Sequence, residues 1–127
     1  MKIEHIAMYV NDLEVAREFF IKYFDGKSNT MYHNKNTGFK SYFISFDDGS
    51  RLEIMSKDNV ENIDKSAEYM GYTHIAFSVG SEDKVNQLTD KLKNDGYKVL
   101  SGPRTTGDGY YESCIFAFEG NRIEINV

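Results

Sequence analysis

Apolar and polar residues alternate in two short segments of the chain, residues 2–10 and 72–79. Both segments are rich in β-branched and aromatic residues, which is typical of strands with one buried face. Each is followed by apolar residues at helical spacing: Val15, Ala16, Phe19, Phe20 and Phe24 in the first case, and Val85, Leu88 and Leu92 in the second. The pattern therefore predicts a strand followed by a helix, twice.

Capping residues and turns define the remaining elements. Asn11 or Asp12 can cap a helix over residues 13–24, and Ser81 can cap the second helix, with Gly26 and Gly96 as their C-terminal stops. Three short strands are predicted after each helix, over residues 27–33, 39–47 and 50–56 and then over 97–101, 111–118 and 121–127. Turns at 47–49 and 119–121 join the last two strands of each half into hairpins.

The two halves are also repeats of each other. The hexamer His-Ile-Ala-x-x-Val begins at residue 5 and again 69 positions later (74 − 5). The hexamer Gly-x-Arg-x-Glu-Ile begins at residue 49 and again 71 positions later (120 − 49). Two matching hexamers in the same order and at nearly one offset indicate a tandem repeat of a βαβββ module.

The predicted fold class is therefore α+β, with two tandem βαβββ modules that form a curled mixed sheet or a barrel-like cleft. Module one spans residues 1–56, a polar linker spans 57–70, and module two spans 71–127. A chain of 127 residues is long enough for one well-packed domain, so we expect a single domain.

Charge and hydropathy exclude several classes of function. The formal net charge is −5, and there is no block of lysine or arginine, so nucleic acid and anionic lipid are not expected partners. The longest apolar runs, such as residues 6–10 and 114–118, are far shorter than the roughly 20 residues of a membrane span. The first residues alternate like a strand and do not resemble a signal peptide. We expect a cytoplasmic protein that acts on a small molecule.

Strand alternation places four candidate metal ligands on one side of the modules. If the apolar residues of the first and last strands lie under the helices, the other side carries His5 and Glu53 in module one and His74 and Glu124 in module two. Buried carboxylates are costly without a cation. Imidazole and carboxylate together suit nickel, zinc, cobalt or manganese. The alternative is two ion-paired or hydrogen-bonded His–Glu pairs that line a polar cleft without a metal.

Other residues are weaker candidates. Arg51 and Arg122 precede the glutamates by two positions, so they either screen the carboxylates or contact substrate. The segment 101–111, rich in glycine and proline, is either a cover over the site or a plain hairpin loop, and its Arg104 and Tyr110 are candidate substrate contacts.

Two further side chains are expected to have no role in the chemistry. His33 has no counterpart in the repeat and is predicted to be solvated. Cys114 is the one cysteine and lies in an apolar run, so we predict a buried thiol.

On these residues the whole chain resembles the vicinal oxygen chelate superfamily, also called glyoxalase/bleomycin-resistance/dioxygenase-like. Members are built from paired βαβββ modules and carry metal ligands on the first and last strand of each module. The set His5, Glu53, His74 and Glu124 resembles that of glyoxalase I, and residues 16–26 are loosely similar to an N-terminal signature of that family.

The resemblance implies a glyoxalase I-like lyase, of the lactoylglutathione lyase kind, with one divalent metal ion. Such an enzyme isomerises the hemithioacetal of methylglyoxal and a thiol to an S-lactoyl thioester through a metal-bound enediolate. Glu53 and Glu124 are then the catalytic candidates, and which of them moves the proton stays open. Relatives also imply a homodimer, with the site built within one chain or across two.

Two positions depart from the glutathione-using enzymes that this chain resembles. Those enzymes have an arginine four residues after the first ligand and an asparagine four residues after the second, whereas this chain has Tyr9 and Lys57. Another thiol or another substrate is therefore open, with Tyr9 as a candidate substrate contact.

Three other functions remain open. Residues 72–79 are similar to a strand of fosfomycin-resistance thiol transferases, and residues 107–111 loosely resemble their oxyanion and potassium loop. Those enzymes use three protein ligands, so Glu53 would be a fourth. A bleomycin-resistance-type protein that binds a small molecule without catalysis usually lacks the four ligands. An epimerase that acts beside a thioester usually has glutamine where Glu53 stands.

Overall fold

The computed structural model describes residues 1–127 as two compact units. Unit one comprises residues 1–63 and unit two residues 64–127, so the boundary falls inside the predicted linker. Each unit has one α-helix against one face of a mixed sheet. Neither helix is long and apolar enough to cross a membrane.

Unit one contains the first module. Its elements are β1 (Ile6–Tyr9), α1 (Leu13–Phe24), β2 (Lys27–Ser28), β3 (Tyr32–His33), β4 (Lys40–Ser45) and β5 (Arg51–Ser56). The strand order is β1-β5-β4-β2, and β3 also pairs with β4. β1 runs parallel to β5, and the other pairs are antiparallel.

Unit two repeats this topology except that it has no counterpart of β3. Its elements are β6 (His74–Ser78), α2 (Glu82–Asn94), β7 (Lys98–Thr105), β8 (Tyr111–Phe116), a 3-10 turn (Phe118–Gly120) and β9 (Arg122–Asn126). The strand order is β6-β9-β8-β7, with β6 parallel to β9. Both sheets are open, and the predicted α+β class with two βαβββ modules is confirmed.

The helix starts follow the predicted capping chemistry. Asp12, rather than Asn11, caps α1, and its Oδ1 accepts hydrogen bonds from the backbone N–H groups of Glu14 and Val15, both at 3.0 Å. The end of α1 differs from the prediction, because Asp25 rather than Gly26 adopts the left-handed conformation, with φ 53°. Gly26 is required for space instead, since a Cβ there would lie 2.6 Å from a methyl group of Ile44.

Each core lies between the helix and its sheet. The fully buried residues include Phe20, Ile44 and Ile54 in unit one and Val85, Leu92, Ile115, Ile123 and Ile125 in unit two. Two residues expected in the core are exposed: Ile6 at 43% and Val15 at 49%. Ile6 begins the edge strand β1, and Val15 lies outside the stripe of α1 that faces the sheet.

The segment 101–111 is mostly strand and not an open loop. β7 continues to Thr105 with an irregular register, and a Cβ at Gly102 would collide with the backbone of β8. Only residues 106–110 form the turn, which is closed by hydrogen bonds between Thr106 and Tyr110. The expectation of a loop over the whole segment was wrong, because β7 and β8 remain paired as far as Thr105 and Tyr111. Gly102 and Pro103 lie within β7 and do not end it.

Candidate metal centre

β1 and β5 bring His5 and Glu53 together in unit one. His5 immediately precedes β1, and Glu53 lies opposite Ala7 in the parallel register. Leu52 and Ile54 on either side of Glu53 are buried, so alternation directs Glu53 to the face away from α1. His5 Nε2 lies 3.8 Å from Glu53 Oε2.

β6 and β9 form the same arrangement in unit two. Glu124 lies opposite Ala76 in the parallel register, and His74 Nε2 lies 3.6 Å from Glu124 Oε2. The two histidine side chains are 36% and 39% exposed, and the two glutamate side chains are 16% and 18% exposed. The sequence repeat is therefore also a repeat of local geometry and exposure.

The donor atoms of both pairs fit a divalent cation. Their separations exceed the roughly 2.7–3.2 Å of a nitrogen–oxygen hydrogen bond, so neither pair is closed by a direct hydrogen bond. Two atoms that each lie roughly 2.0–2.2 Å from one ion can be at most about 4.4 Å apart, and both pairs meet that limit. The structure contains no group of three or more His, Cys, Asp or Glu side chains that could hold a metal ion. It therefore shows two separate His–Glu pairs, and the four-residue ligand set remains a prediction.

A second carboxylate, that of Glu4, contacts the other ring nitrogen of His5. His5 Nδ1 contacts Glu4 Oε2, and the second oxygen of Glu4 lies 3.1 Å from Arg51 Nη1. The hydrogen bond with His5, aided by the charge of Arg51, lowers the pKa of Glu4. Arg51 lies over the Phe43 ring at 4.1 Å, and the same ring meets His5 edge-on with centroids 5.3 Å apart. Glu4, Arg51 and Phe43 therefore form a cluster beside the His5 imidazole.

Arg122 also pairs with a carboxylate outside the His–Glu pairs. Its Nη1 lies 2.9 Å from Glu68 Oε1, and its guanidinium lies 5.8 Å from the centroid of the Phe116 ring. The hydrogen bond with Glu68 raises the pKa of Arg122. Arg51 and Arg122 form ion pairs with Glu4 and Glu68 and not with Glu53 or Glu124, so these arginines hold neighbouring segments in place.

Sequence reasoning missed two polar residues beside Glu124. Asn126 Nδ2 donates a hydrogen bond to Glu124 Oε1 at 3.2 Å. Glu112 lies opposite Asn126 in the antiparallel β8–β9 register. Burial raises the pKa of Glu112, and the charge of Glu124 and a hydrogen bond to it raise that pKa further. Alternation along β8 from the buried Ser113 and Ile115 would have indicated the placement of Glu112.

Cys114 lies on the face of the sheet that carries Glu124, which corrects the prediction of a core thiol. It lies opposite Glu124 in the β8–β9 register and is half-buried. Its neighbours Ser113 and Ile115 occupy the core instead, because a strand can direct only alternate residues toward the helix. Burial, followed by the charge of Glu124, raises the pKa of the thiol.

The predicted substrate contacts Tyr9, Arg104 and Tyr110 are all exposed. Tyr9 is the last residue of β1, and Lys57 Nζ lies 5.3 Å from its ring centroid. Arg104 lies opposite Glu112 in the β7–β8 register. Tyr110 is 56% exposed at the hairpin turn. His33 is exposed on β3, as expected.

Comparison with known proteins gives a consistent family. The model for the Glyoxalase/Bleomycin resistance protein/Dioxygenase superfamily matches residues 2–125. Metallothiol transferase FosB of Bacillus licheniformis is 32% identical over 130 residues, which cover 98% of this chain and 73% of that protein.

Solved structures agree with this assignment. A possible glyoxalase from Bacillus cereus is 28% identical, with a TM-score of 0.72 and coverage of 100% of this chain and 99% of that one. The fosfomycin resistance protein FosX from Listeria monocytogenes, complexed with Mn(II) and sulfate, shares the fold at 20% identity, with a TM-score of 0.73 and coverage of 99% and 91%. Because the family model spans nearly all of the chain, the protein belongs to the glyoxalase/bleomycin resistance protein/dioxygenase superfamily.

Proposed function

We propose that the protein is a metal-dependent, glyoxalase I-like lyase that isomerises the hemithioacetal of methylglyoxal and a thiol to an S-lactoyl thioester. The observation that carries the proposal is the matched pair of His–Glu arrangements, with nitrogen–oxygen distances of 3.8 and 3.6 Å. In our proposal, His5, Glu53, His74 and Glu124 together hold one divalent ion. Nickel and zinc suit two imidazoles and two carboxylates, as do cobalt and manganese. The Mn(II) in FosX supports a divalent ion on this fold.

The bound ion would polarise the oxygens of the substrate and stabilise negative charge on them. The protein must then move a proton between two neighbouring carbons, which a carboxylate close to the substrate can do. Asn126 restrains Glu124 by donating to its Oε1. Met55 lies two residues after Glu53 on β5, just as Asn126 lies two residues after Glu124 on β9. The Met55 side chain has no hydrogen-bond donor. Glu53 is therefore our candidate for the carboxylate that transfers the proton.

Tyr9 and Lys57 are our candidates for contacts with the thiol part of the substrate. They lie next to each other where β1 and β5 end, on the unit that carries His5 and Glu53. A lysine ammonium over an aromatic ring can attract an anionic group. Arg104 and Tyr110 remain candidates on the second unit. The thiol itself is left open in this proposal.

A thiol transferase is the second candidate function, because FosB is 32% identical to this chain. The two candidates differ in what they require of Glu53. The isomerase uses this carboxylate for proton transfer, whereas a transferase with three protein ligands does not need it. The same variant therefore separates the two functions.

The test uses metal-loaded wild-type protein and Glu53→Gln. Each is incubated with methylglyoxal and a panel of thiols, including glutathione and cysteine, and in parallel with fosfomycin and the same thiols. We expect S-lactoyl thioester from the wild type and a loss of at least about 10²-fold in Glu53→Gln. Thiol addition to fosfomycin that survives in Glu53→Gln would replace the isomerase with a transferase. A metal-loaded protein with neither activity would point to ligand binding without catalysis.

We also propose that the protein acts as a cytoplasmic homodimer. An edge strand such as β1 or β6 presents unpaired backbone groups that a second copy can cover. Light scattering after gel filtration should then give twice the chain mass of 14.6 kDa. A mass equal to that of one chain would contradict the dimer but not the chemistry.

A further inference from the structure

The two His–Glu pairs differ at the second nitrogen of the histidine. In unit one, Glu4 contacts Nδ1 of His5 and also pairs with Arg51. In unit two, the residue before His74 is Thr73, and the carboxylate that pairs with Arg122 is Glu68. Both units thus contain an arginine–carboxylate pair, but only in unit one does the carboxylate also contact a histidine.

This difference has a defined chemical effect on His5. A neutral imidazole carries its proton on one nitrogen and a lone pair on the other, and the hydrogen bond made by one nitrogen determines which is which. A carboxylate at Nδ1 holds the proton there, because a carboxylate can only accept. Nε2 of His5, which faces Glu53, then carries the lone pair that a metal ion requires.

Glu4 is itself held in place, although its side chain is 56% exposed. An exposed carboxylate alone would gain little from one ion pair. Here its second oxygen is fixed by Arg51, which lies 4.1 Å over the Phe43 ring. Phe43 also meets the His5 ring edge-on. Glu4 and Phe43 therefore both contact the imidazole, and Arg51 contacts each of them.

We propose that Glu4 is a positioning residue that holds His5 in the Nδ1–H form with Nε2 directed toward Glu53. Unit one is then the pre-organised half of the proposed metal site, while His74 has no carboxylate at its Nδ1. The proposal rests on the proposed metal site. It extends that site by assigning a role to a residue outside the four ligands.

Metal affinity provides the first test. Partners of this kind contribute about 10- to 100-fold to metal affinity, so Glu4→Ala should weaken nickel binding to metal-stripped protein by that factor in calorimetry. Glu4→Gln should lose less, because its amide oxygen still accepts from Nδ1. The matched control is Glu68→Ala, which removes the carboxylate partner of Arg122 without touching His74 and should change the affinity less than about threefold. Equal affinities for wild type and Glu4→Ala would overturn the proposal.

The second test asks which ring nitrogen of His5 carries the proton, and it needs no metal. Nitrogen-15 NMR of the metal-free protein at about pH 8.5, where imidazole is neutral, should show the Nδ1–H form at His5. In Glu4→Ala the signal should move toward a mixture of the two forms, and in Glu68→Ala it should stay unchanged. A wild-type His5 protonated on Nε2, or one that is indifferent to Glu4→Ala, would overturn the assignment. If the wild type binds no metal, the proposed function fails, and this spectrum still decides the role of Glu4.

Discussion

His74 faces Glu124 across the parallel β6–β9 pair with Nε2 3.6 Å from Oε2, and His5 faces Glu53 across β1 and β5 at 3.8 Å. The surroundings of the two pairs are unequal, because one histidine has a carboxylate partner and one glutamate has an amide partner. The two pairs therefore have similar nitrogen–oxygen distances but different neighbours, so we expect the two pairs to have different roles in the proposed site.

Metal binding should stabilise the folded protein. An ion that binds only the folded state adds roughly 2.7 kcal/mol at about 100 times its Kd, which corresponds to a rise in Tm of roughly 10 °C for a chain of this size. Thermal unfolding of metal-stripped protein with and without nickel measures this gain. His5→Ala should lose it and His33→Ala, the third histidine, should retain it. The opposite pattern for these two variants would contradict the ligand assignment.

Tyr42 provides a pH-dependent link between the sheet and the helix of unit one. Its buried hydroxyl donates to Glu14 Oε1 at 2.6 Å. This hydrogen bond, with a smaller contribution from burial, raises the pKa of Tyr42 above its usual 10.0. The folded-state pKa lies above the unfolded one, so the stabilisation is complete below about pH 10 and is lost as the pH rises through the raised pKa.

Tyr42→Phe should therefore cost about 1 kcal/mol of unfolding free energy at neutral pH. The difference between the variant and the wild type should shrink as the pH rises above about 10. Urea unfolding of both proteins at neutral and alkaline pH measures this difference. If the loss of unfolding free energy in Tyr42→Phe is the same at every pH, the loss comes from packing and not from the hydrogen bond.

Thr89 and Ser113 should depend on each other energetically. The Thr89 hydroxyl donates to the Val85 carbonyl at 2.6 Å and lies 2.6 Å from the Ser113 hydroxyl, and both side chains are buried. Thr89→Val leaves the Ser113 hydroxyl buried without this partner, which costs roughly 1–3 kcal/mol. Removing both hydroxyls in Thr89→Val/Ser113→Ala should cost less than the sum of the single changes. Additive losses in a urea double-mutant cycle would contradict this coupling.

Local signals in the sequence were sufficient for most of the fold. Helix α1 spans Leu13–Phe24 as predicted, because its cap and its apolar spacing both lie within the segment. The buried Ile54 and Ile125 follow from strand alternation. Exposure of Ile6 could not be predicted in this way, because it depends on β1 being an edge strand, and strand order is set by pairing between distant residues.

The candidate site was predictable only in part for the same reason. The four proposed ligands follow from the repeat. The contact of Glu4 with His5 does not, because Glu4 precedes the strand and is held by Arg51, a residue far away in the sequence. Cys114 was misplaced because an apolar run does not reveal which of its alternating residues face the core.

Calorimetric titration of metal-stripped protein with nickel tests the central claim most directly. We predict one ion per chain, with binding abolished in both His5→Ala and His74→Ala and unchanged in His33→Ala. Loss in both ligand variants would mean that the two His–Glu pairs act on one ion. Two ions per chain, binding that survives either ligand variant, or no binding to the wild type would contradict the four-ligand site and the lyase chemistry that depends on it.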